Sequence, residues 1–177
     1  KHALVFNAIS FATFLLAVFV FMQAKAPDFL TRVSIPYLYG IVLIVYLLSL
    51  LYSLMARITP NHGMQIYLQA MMDVLVITAI IYVTGGVRST YAVFYPLVII
   101  YTVLYLGRKG GLVSASAASI CYGLLIDLEF YRIIEPLTYP SMWEIPDTAG
   151  HVFLRIIINI LSFYLIALLA SFVVERE

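Results

Sequence analysis

The stretch YAVFYPLVIIYTVLYLGRKGGLVSASAASICYGLLIDLEF, residues 91–130, contains two apolar runs separated by the short turn GRKGG (107–111). Each run has the length to cross the hydrocarbon core of a bilayer, which is roughly 30 Å thick. Backbone polar groups that face lipid must be paired within their own segment, so each run is predicted to be a helix. Glycine adopts positive φ without steric cost, which suits so short a turn. The stretch therefore predicts two consecutive transmembrane helices joined by a tight reversal.

The composition extends this prediction to the whole chain. Of the 177 residues, 64% are hydrophobic and only 11% are charged, and the mean hydropathy is +1.04. A soluble domain has a much lower apolar fraction, so the bilayer is the expected solvent for most of the chain. We predict an all-α, polytopic membrane bundle of six transmembrane helices over residues 1–177, with short turns between helices 3 and 4 and between helices 4 and 5. The six spans are expected at about 3–22, 36–55, 68–83, 91–106, 111–130 and 152–174.

Two further features concern the shape of this bundle. Pro96 lies within the fourth span, where proline is expected to kink a helix because it removes a backbone hydrogen bond. The connection 131–150 is long, with three prolines and an acidic bias. We expect it to form an irregular cap on one membrane face.

The orientation is predicted from the number of spans and from one short loop. Six crossings place both ends on the same side, and adjacent Arg108 and Lys109 lie in a tight turn on that side, which favours cytoplasmic ends. Taken together, all the Lys and Arg residues, including these two, divide almost evenly between the two faces. The chain begins at Lys1 and stops at Glu177 as a helix reaches water, so we expect a membrane module of a longer protein that continues after residue 177.

Small residues recur every four positions along the fifth span, at Gly111, Ala115, Ser119 and Gly123. In lipid, small residues let two helix backbones approach closely and gain van der Waals contact. One interpretation is a signalling interface or a pocket wall. The other is ordinary packing inside the bundle.

Gln69 and Asp73 lie four residues apart on one face of the third span. Acids within a membrane are costly, usually face the bundle interior, and mark pathways or partners. Asp73 is therefore a candidate proton site or ligand contact. The alternative is a position near the interface, with a hydrogen bond to Gln69 or to neighbouring backbone.

A second polar group is expected at the opposite membrane face. Asp127 and Glu129 end the fifth span, and Arg155 and Asn159 begin the sixth, one helical turn apart. An isolated guanidinium at that depth is costly, so Arg155 is predicted to pair with Asp127 or Glu129. The pair either fixes the long connection in place, or forms a switchable latch or an anion-binding pocket.

Several chemistries have no support in the sequence. The three histidines are far apart, and no phosphate-binding loop of the G-x-x-x-x-G-K-[ST] type or G-x-S-x-G nucleophile motif is present. A net charge of +1 gives no reason to expect nucleic acid as a partner. We expect no catalytic residue, metal ion or cofactor within these 177 residues.

Three motifs carry a family resemblance: LQAMMDVLVITAIIYVTGG (68–86), LGRKGG (106–111) and YGLLIDLE (122–129). They resemble the membrane sensor domain of PilS-like two-component sensor histidine kinases, which govern type IV pilus genes and related responses in bacteria. One departure follows the double glycine, where members often have an acidic residue and Ser-Pro. This chain has Val87, Arg88, Ser89 and Thr90 there.

The resemblance implies a signal-input and dimerisation module in the bacterial inner membrane. Its last helix would lead to a cytoplasmic kinase core that this sequence lacks and that uses ATP and Mg²⁺. The implied partners are the lipid bilayer, a second copy of the chain, another membrane helix such as pilin, and a response regulator reached through the kinase core. Two other classes remain: a small transporter or substrate-binding membrane subunit, and a structural anchor without a ligand.

Overall fold

The computed structural model describes residues 35–58, 62–134 and 149–174, and these residues form helices and turns without a strand. The four helices are α1 (Ile35–Ile58), α2 (His62–Val83), α3 (Phe94–Phe130) and α4 (Ala149–Val174). Two short 3-10 helices, Gly86–Arg88 and Thr90–Val93, connect α2 to α3. The first predicted span, 3–22, and residues 135–148 of the predicted cap lie outside the described residues.

Three helical stretches in the described part of the chain are long and apolar enough to cross a membrane: Gly63–Val83, Tyr91–Phe130 and Ala149–Val174. A shorter apolar stretch, Tyr39–Tyr52, lies within α1. The prediction of an all-helical membrane domain is therefore confirmed. The described residues show four helices rather than six.

The longest helix, α3, is folded back on itself. Gly107 has non-helical backbone angles (φ 66°, ψ −163°), and the ring centroids of Tyr95 and Tyr122 are 6.2 Å apart. A straight helix would separate these two residues by about 40 Å. The chain therefore reverses at Gly107, as the glycine-rich turn predicts. The two arms, 94–106 and 108–130, pack against each other in antiparallel orientation.

The helix ends differ from the predicted spans in ways that have a physical cause. α2 begins at His62 and α4 at Ala149, six and three residues before the expected starts. Hydropathy marks the apolar part of a helix, whereas helical hydrogen bonding continues into polar residues outside the hydrocarbon. The predicted kink at Pro96 is wrong, because Pro96 is the third residue of α3. In the first turn a missing N–H breaks no helical hydrogen bond.

By its internal contacts the chain divides into two units, Lys1–Gln65 and Ile66–Glu177. In the first unit, the Gln65 side chain donates a hydrogen bond to the backbone carbonyl of Tyr52 (3.2 Å), which joins the first turn of α2 to α1. The second unit contains most of α2 together with α3 and α4. All the contacts described below lie in this second unit.

An aromatic triad, Tyr95, Tyr122 and Phe163, forms the centre of the second unit. The ring centroids are 5.2 to 6.2 Å apart, and all three pairs meet edge to face, which is a favourable geometry for aromatic rings. The Tyr95 hydroxyl is hydrogen-bonded to Thr78 Oγ1 of α2 at 2.7 Å. The triad thus connects α2, both arms of α3 and α4.

Candidate functional site

The connection from α2 to α3 is a compact turn with two glycines at its start. Gly85 and Gly86 have positive φ values of 125° and 56°, a region that residues with a side chain rarely adopt. The Thr84 hydroxyl bonds to the Ile80 carbonyl (2.6 Å) and to the Ser89 hydroxyl (2.8 Å). The Ser89 N–H also donates to the Gly86 carbonyl at 3.0 Å. These bonds give the turn a defined shape.

Glu129, near the end of α3, holds this turn from one side. Its Oε2 accepts a hydrogen bond from the Val87 N–H at 3.0 Å. The carboxylate lies so close to Gly86 that a Cβ on that residue would overlap it. Only glycine at position 86 leaves room for this contact.

Arg155, near the start of α4, holds the same turn from the other side. Its Nη1 donates a hydrogen bond to the Val87 carbonyl. The predicted partners Glu129 and Arg155 therefore meet through the backbone of Val87, one bound to its N–H and the other to its C=O. We call Gly86, Val87, Glu129 and Arg155 the Val87 clamp. Asp127, the other predicted partner, has an exposed side chain.

Asn159 connects the clamp to the aromatic triad. Its Nδ2 donates to the Arg155 carbonyl at 2.9 Å and to the Tyr122 hydroxyl at 3.2 Å. Arg155 precedes Phe163 by two helical turns, so the clamp lies about 12 Å from the triad along α4. Asn159 occupies the level between them.

A cavity of about 460 Å³ lies between the turn and the triad. This volume is in the range of small-molecule sites. Its polar wall includes Ser89, Arg155, Asn159 and Ser162, and its apolar wall includes Pro96 and Phe163. The polar and apolar groups are those expected of an amphipathic ligand site.

Asp73 and Gln69 lie elsewhere in the second unit, away from the clamp. Because α2 begins at His62, Asp73 is about 16 Å along the helix, near its midpoint. Gln69 is buried and Asp73 is partly buried. Asp73 interacts electrostatically with Tyr101 of the first arm of α3. Within the described residues, the buried Tyr101 hydroxyl has no hydrogen-bond partner. Distance along α2 is not depth in the bilayer, so the intramembrane and the interfacial interpretation of Asp73 both stay open.

The small-residue stripe is packed along part of its length. A Cβ on Gly111 would overlap the Val103 side chain of the other arm and lie 3.8 Å from the Ala167 Cβ of α4. Ala115 is fully buried, and Ser119 is buried with its hydroxyl donating to the Ala115 carbonyl (2.7 Å). Gly123 differs, since a Cβ there would meet nothing within 4 Å. The first three positions therefore pack inside the second unit, and Gly123 does not.

Three contacts of this unit were missed at the sequence level. Val87 donates its N–H to Glu129 and accepts a hydrogen bond from Arg155 at its carbonyl, and a backbone donor or acceptor leaves no mark in a sequence. The double glycine was the available signal, because two glycines at the end of a span allow positive φ values and so indicate a turn of defined shape. Ser116 and Tyr164, whose hydroxyls are 2.9 Å apart, join the second arm of α3 to α4. Such hydroxyl pairs are common between membrane helices.

The fold and the clamp together define a helical membrane domain with a polar cluster where α3 ends and α4 begins. Residues 4–177 match the family model of the PilS-like transmembrane domain. The chain belongs to this family, as the resemblance predicted. No similar chain was found among curated proteins or among solved structures.

Proposed function

We propose that this domain is the signal-input module of a bacterial two-component sensor histidine kinase. Its membership of the PilS-like transmembrane family carries the proposal. On this proposal the domain lies in the inner membrane with six spans and cytoplasmic ends, and it forms a homodimer. The kinase core that follows uses ATP and Mg²⁺ and phosphorylates a response regulator. Its signal at the membrane is another membrane helix such as pilin, or a small ligand.

The Val87 clamp is the proposed switch. A signal can shift a protein between two states only if it interacts differently with each, so the mechanism needs contacts that are made in one state alone. The clamp offers two such contacts, from Glu129 at the end of α3 and from Arg155 on α4. Breaking the Arg155 contact frees α4 from the turn at the membrane face where α4 begins, and breaking the Glu129 contact frees the turn from the end of α3, so that the turn and α4 can move together.

α4 is the element that carries this change across the membrane. Its 26 residues extend about 39 Å, and it runs from the clamp towards the face on which Gly107 lies. A displacement of α4 at Arg155 therefore reaches its other end at Val174. The kinase core would receive the change there.

Glu129→Gln in the full-length protein, reconstituted in liposomes with ATP, tests this mechanism. The substitution preserves shape but replaces a charge-assisted hydrogen bond with a weaker neutral one. We expect autophosphorylation to change severalfold. Asp127→Asn is the matched control, because it removes the same charge from an exposed side chain two residues away, and its activity should equal that of the wild type. A folded Glu129→Gln protein with unchanged autophosphorylation would remove the clamp from the mechanism.

A transporter or substrate-binding subunit is the second candidate, and one observation favours it. Asp73 lies near the middle of α2 and interacts with a residue whose hydroxyl is buried, Tyr101. Ionisable residues within membrane helices often mark transport pathways. If this function holds, proteoliposomes of the purified chain should accumulate or release a solute or protons, and Asp73→Asn should abolish that flux. A sensor module should show no flux with either protein.

A further inference from the structure

The cavity beneath the turn has two chemically different ends. The Arg155 guanidinium and the Ser89 hydroxyl lie at the level of the clamp. Tyr122 and Phe163 of the triad line the other end, about 12 Å further along α4. Asn159 and Ser162 lie between these levels. The cavity is thus cationic at one end and aromatic at the other.

The charge at the cationic end is available to a ligand. Arg155 uses one N–H for the Val87 carbonyl, and a guanidinium has five N–H donors in a fixed planar fork. Glu129, the acid of the clamp, binds the Val87 N–H and does not line the cavity. A guanidinium with free donors recognises carboxylate and phosphate oxygens well.

The depth of the cavity matches the depth of lipid headgroups. Arg155 is six residues into α4, about 9 Å from its first residue, and it lies level with the turn where α2 ends. Cationic side chains near the ends of membrane helices lie at the headgroup level. From that level the cavity extends towards the middle of the bilayer, in the direction that an acyl chain takes.

From these features we infer that the cavity binds an amphipathic anion, with its carboxylate or phosphate on Arg155 and its hydrocarbon chain against Phe163. Two sources share this chemistry: an anionic membrane phospholipid and a free fatty acid. The inference concerns binding and does not require the domain to signal. Its failure would leave the Glu129→Gln test of the clamp unaffected.

Native mass spectrometry of the full-length protein in a neutral detergent tests the inference, with phosphatidylglycerol, oleate and phosphatidylcholine as probes. We expect at least one of the two anions to bind roughly tenfold more tightly than phosphatidylcholine. Arg155→Gln should abolish this preference. Lys109→Gln is the control for charge, because it removes the same charge from an exposed residue near the Gly107 reversal, and it should leave the preference intact.

A second variant tests the contribution of the cavity volume independently of the charge on Arg155. Ser162→Leu adds volume in the cavity wall and leaves Arg155 in place, so it should weaken binding of the anion severalfold. Preference for phosphatidylglycerol alone or for oleate alone would support the inference and identify the source. Equal loss in Arg155→Gln and Lys109→Gln would overturn it, as would equal binding of all three probes, or undiminished binding to folded Ser162→Leu.

Discussion

At the scale of single residues, the Val87 clamp depends on Gly86 and on two charged side chains that bind the backbone of Val87, Glu129 at its N–H and Arg155 at its C=O. The charges were recognisable from the sequence, since a guanidinium and a carboxylate near span ends need partners. Their common partner was not recognisable, because any residue supplies an N–H and a C=O. Asp127 and Glu129 were equivalent candidates in the sequence. The structure distinguishes them, because at the end of α3 the Glu129 side chain faces Val87 and the Asp127 side chain is exposed.

Gly86→Ala should destabilise the domain and open the clamp. The substitution places a side chain at a φ of 56°, and its Cβ would overlap the Glu129 carboxylate. We expect a loss of about 1–3 kcal/mol, from backbone strain and the displaced carboxylate, measured by thermal unfolding in detergent. Gly123→Ala is the matched control, since its Cβ meets nothing within 4 Å. Because alanine is favoured over glycine inside a helix, this variant should be as stable as the wild type or more stable by up to about 1 kcal/mol. Equal stability of the two variants would contradict the close approach at Gly86.

Tyr95→Phe should cost little, although the hydroxyl is central to the unit. It removes the 2.7 Å hydrogen bond to Thr78 but keeps the ring in the triad. Hydrogen bonds between membrane helices contribute about 0.6 kcal/mol on average, so we expect a loss of that order. Tyr95→Ala removes the buried ring as well, and a loss of about 3–5 kcal/mol is expected. If unfolding measurements gave similar losses for both variants, packing of the Tyr95 ring in the triad would contribute little to stability.

At the scale of elements, the reversal at Gly107 was predictable and the start of the span before it was not. Two apolar runs that each span a bilayer and are separated only by GRKGG predict a reversal of the chain within those few residues. The first arm of α3 nevertheless contains only residues 94–106, or about 20 Å of helix, because the residues before it form the 3-10 helix Thr90–Val93. Apolar composition does not distinguish a 3-10 turn from an α-helix. The kink at Pro96 was predicted wrongly for the same reason. Whether a proline kinks a helix depends on its distance from the first residue of the helix, and composition does not give that residue.

Gly111→Ala should separate the two arms of α3, and Val103→Ala should reverse part of the effect. The added methyl would overlap the Val103 side chain, and overpacking of this kind costs about 1–3 kcal/mol. In the double variant the smaller residue 103 leaves room for the methyl group. Unfolding measurements on the four proteins of this cycle should therefore show coupling of at least about 0.5 kcal/mol. Additive effects would mean that Gly111 does not pack against Val103.

At the scale of the whole molecule, the sequence predicted a helical membrane domain and its family, and both are confirmed. The count of six spans remains a proposal, because residues 1–34 lie outside the described part of the chain. The turn around Gly107 was predicted to lie at the same face as the chain ends, and the packing of α4 gives the same arrangement for Gly107 and Val174. Tyr122 lies beside Phe163, and Gly111 beside Ala167, so α4 runs antiparallel to the second arm of α3. The Gly107 reversal and the end of α4 therefore lie at the same membrane face.

Cysteine labelling in intact cells tests the proposed orientation. In a Cys121→Ser background, Lys109→Cys lies at the face of the Gly107 reversal, and His151→Cys lies on α4 before the clamp. Both native side chains are exposed. With cytoplasmic ends, an impermeant maleimide should label residue 151 in intact cells and residue 109 only after permeabilisation. The reverse pattern would place the Val174 end of α4 outside and exclude the proposed orientation.

The close approach of Glu129 to Gly86 also has an evolutionary consequence. A larger residue at 86 would overlap the Glu129 carboxylate, so it is compatible with the acid only if that side chain leaves its contact with Val87. The two positions, 43 residues apart, should therefore change together among descendants of a common ancestor. Loss of the glycine should follow, or coincide with, loss of the acid. An ancestral pair of this kind also limits which sequences can follow the double glycine, since residue 87 must present its N–H to the acid.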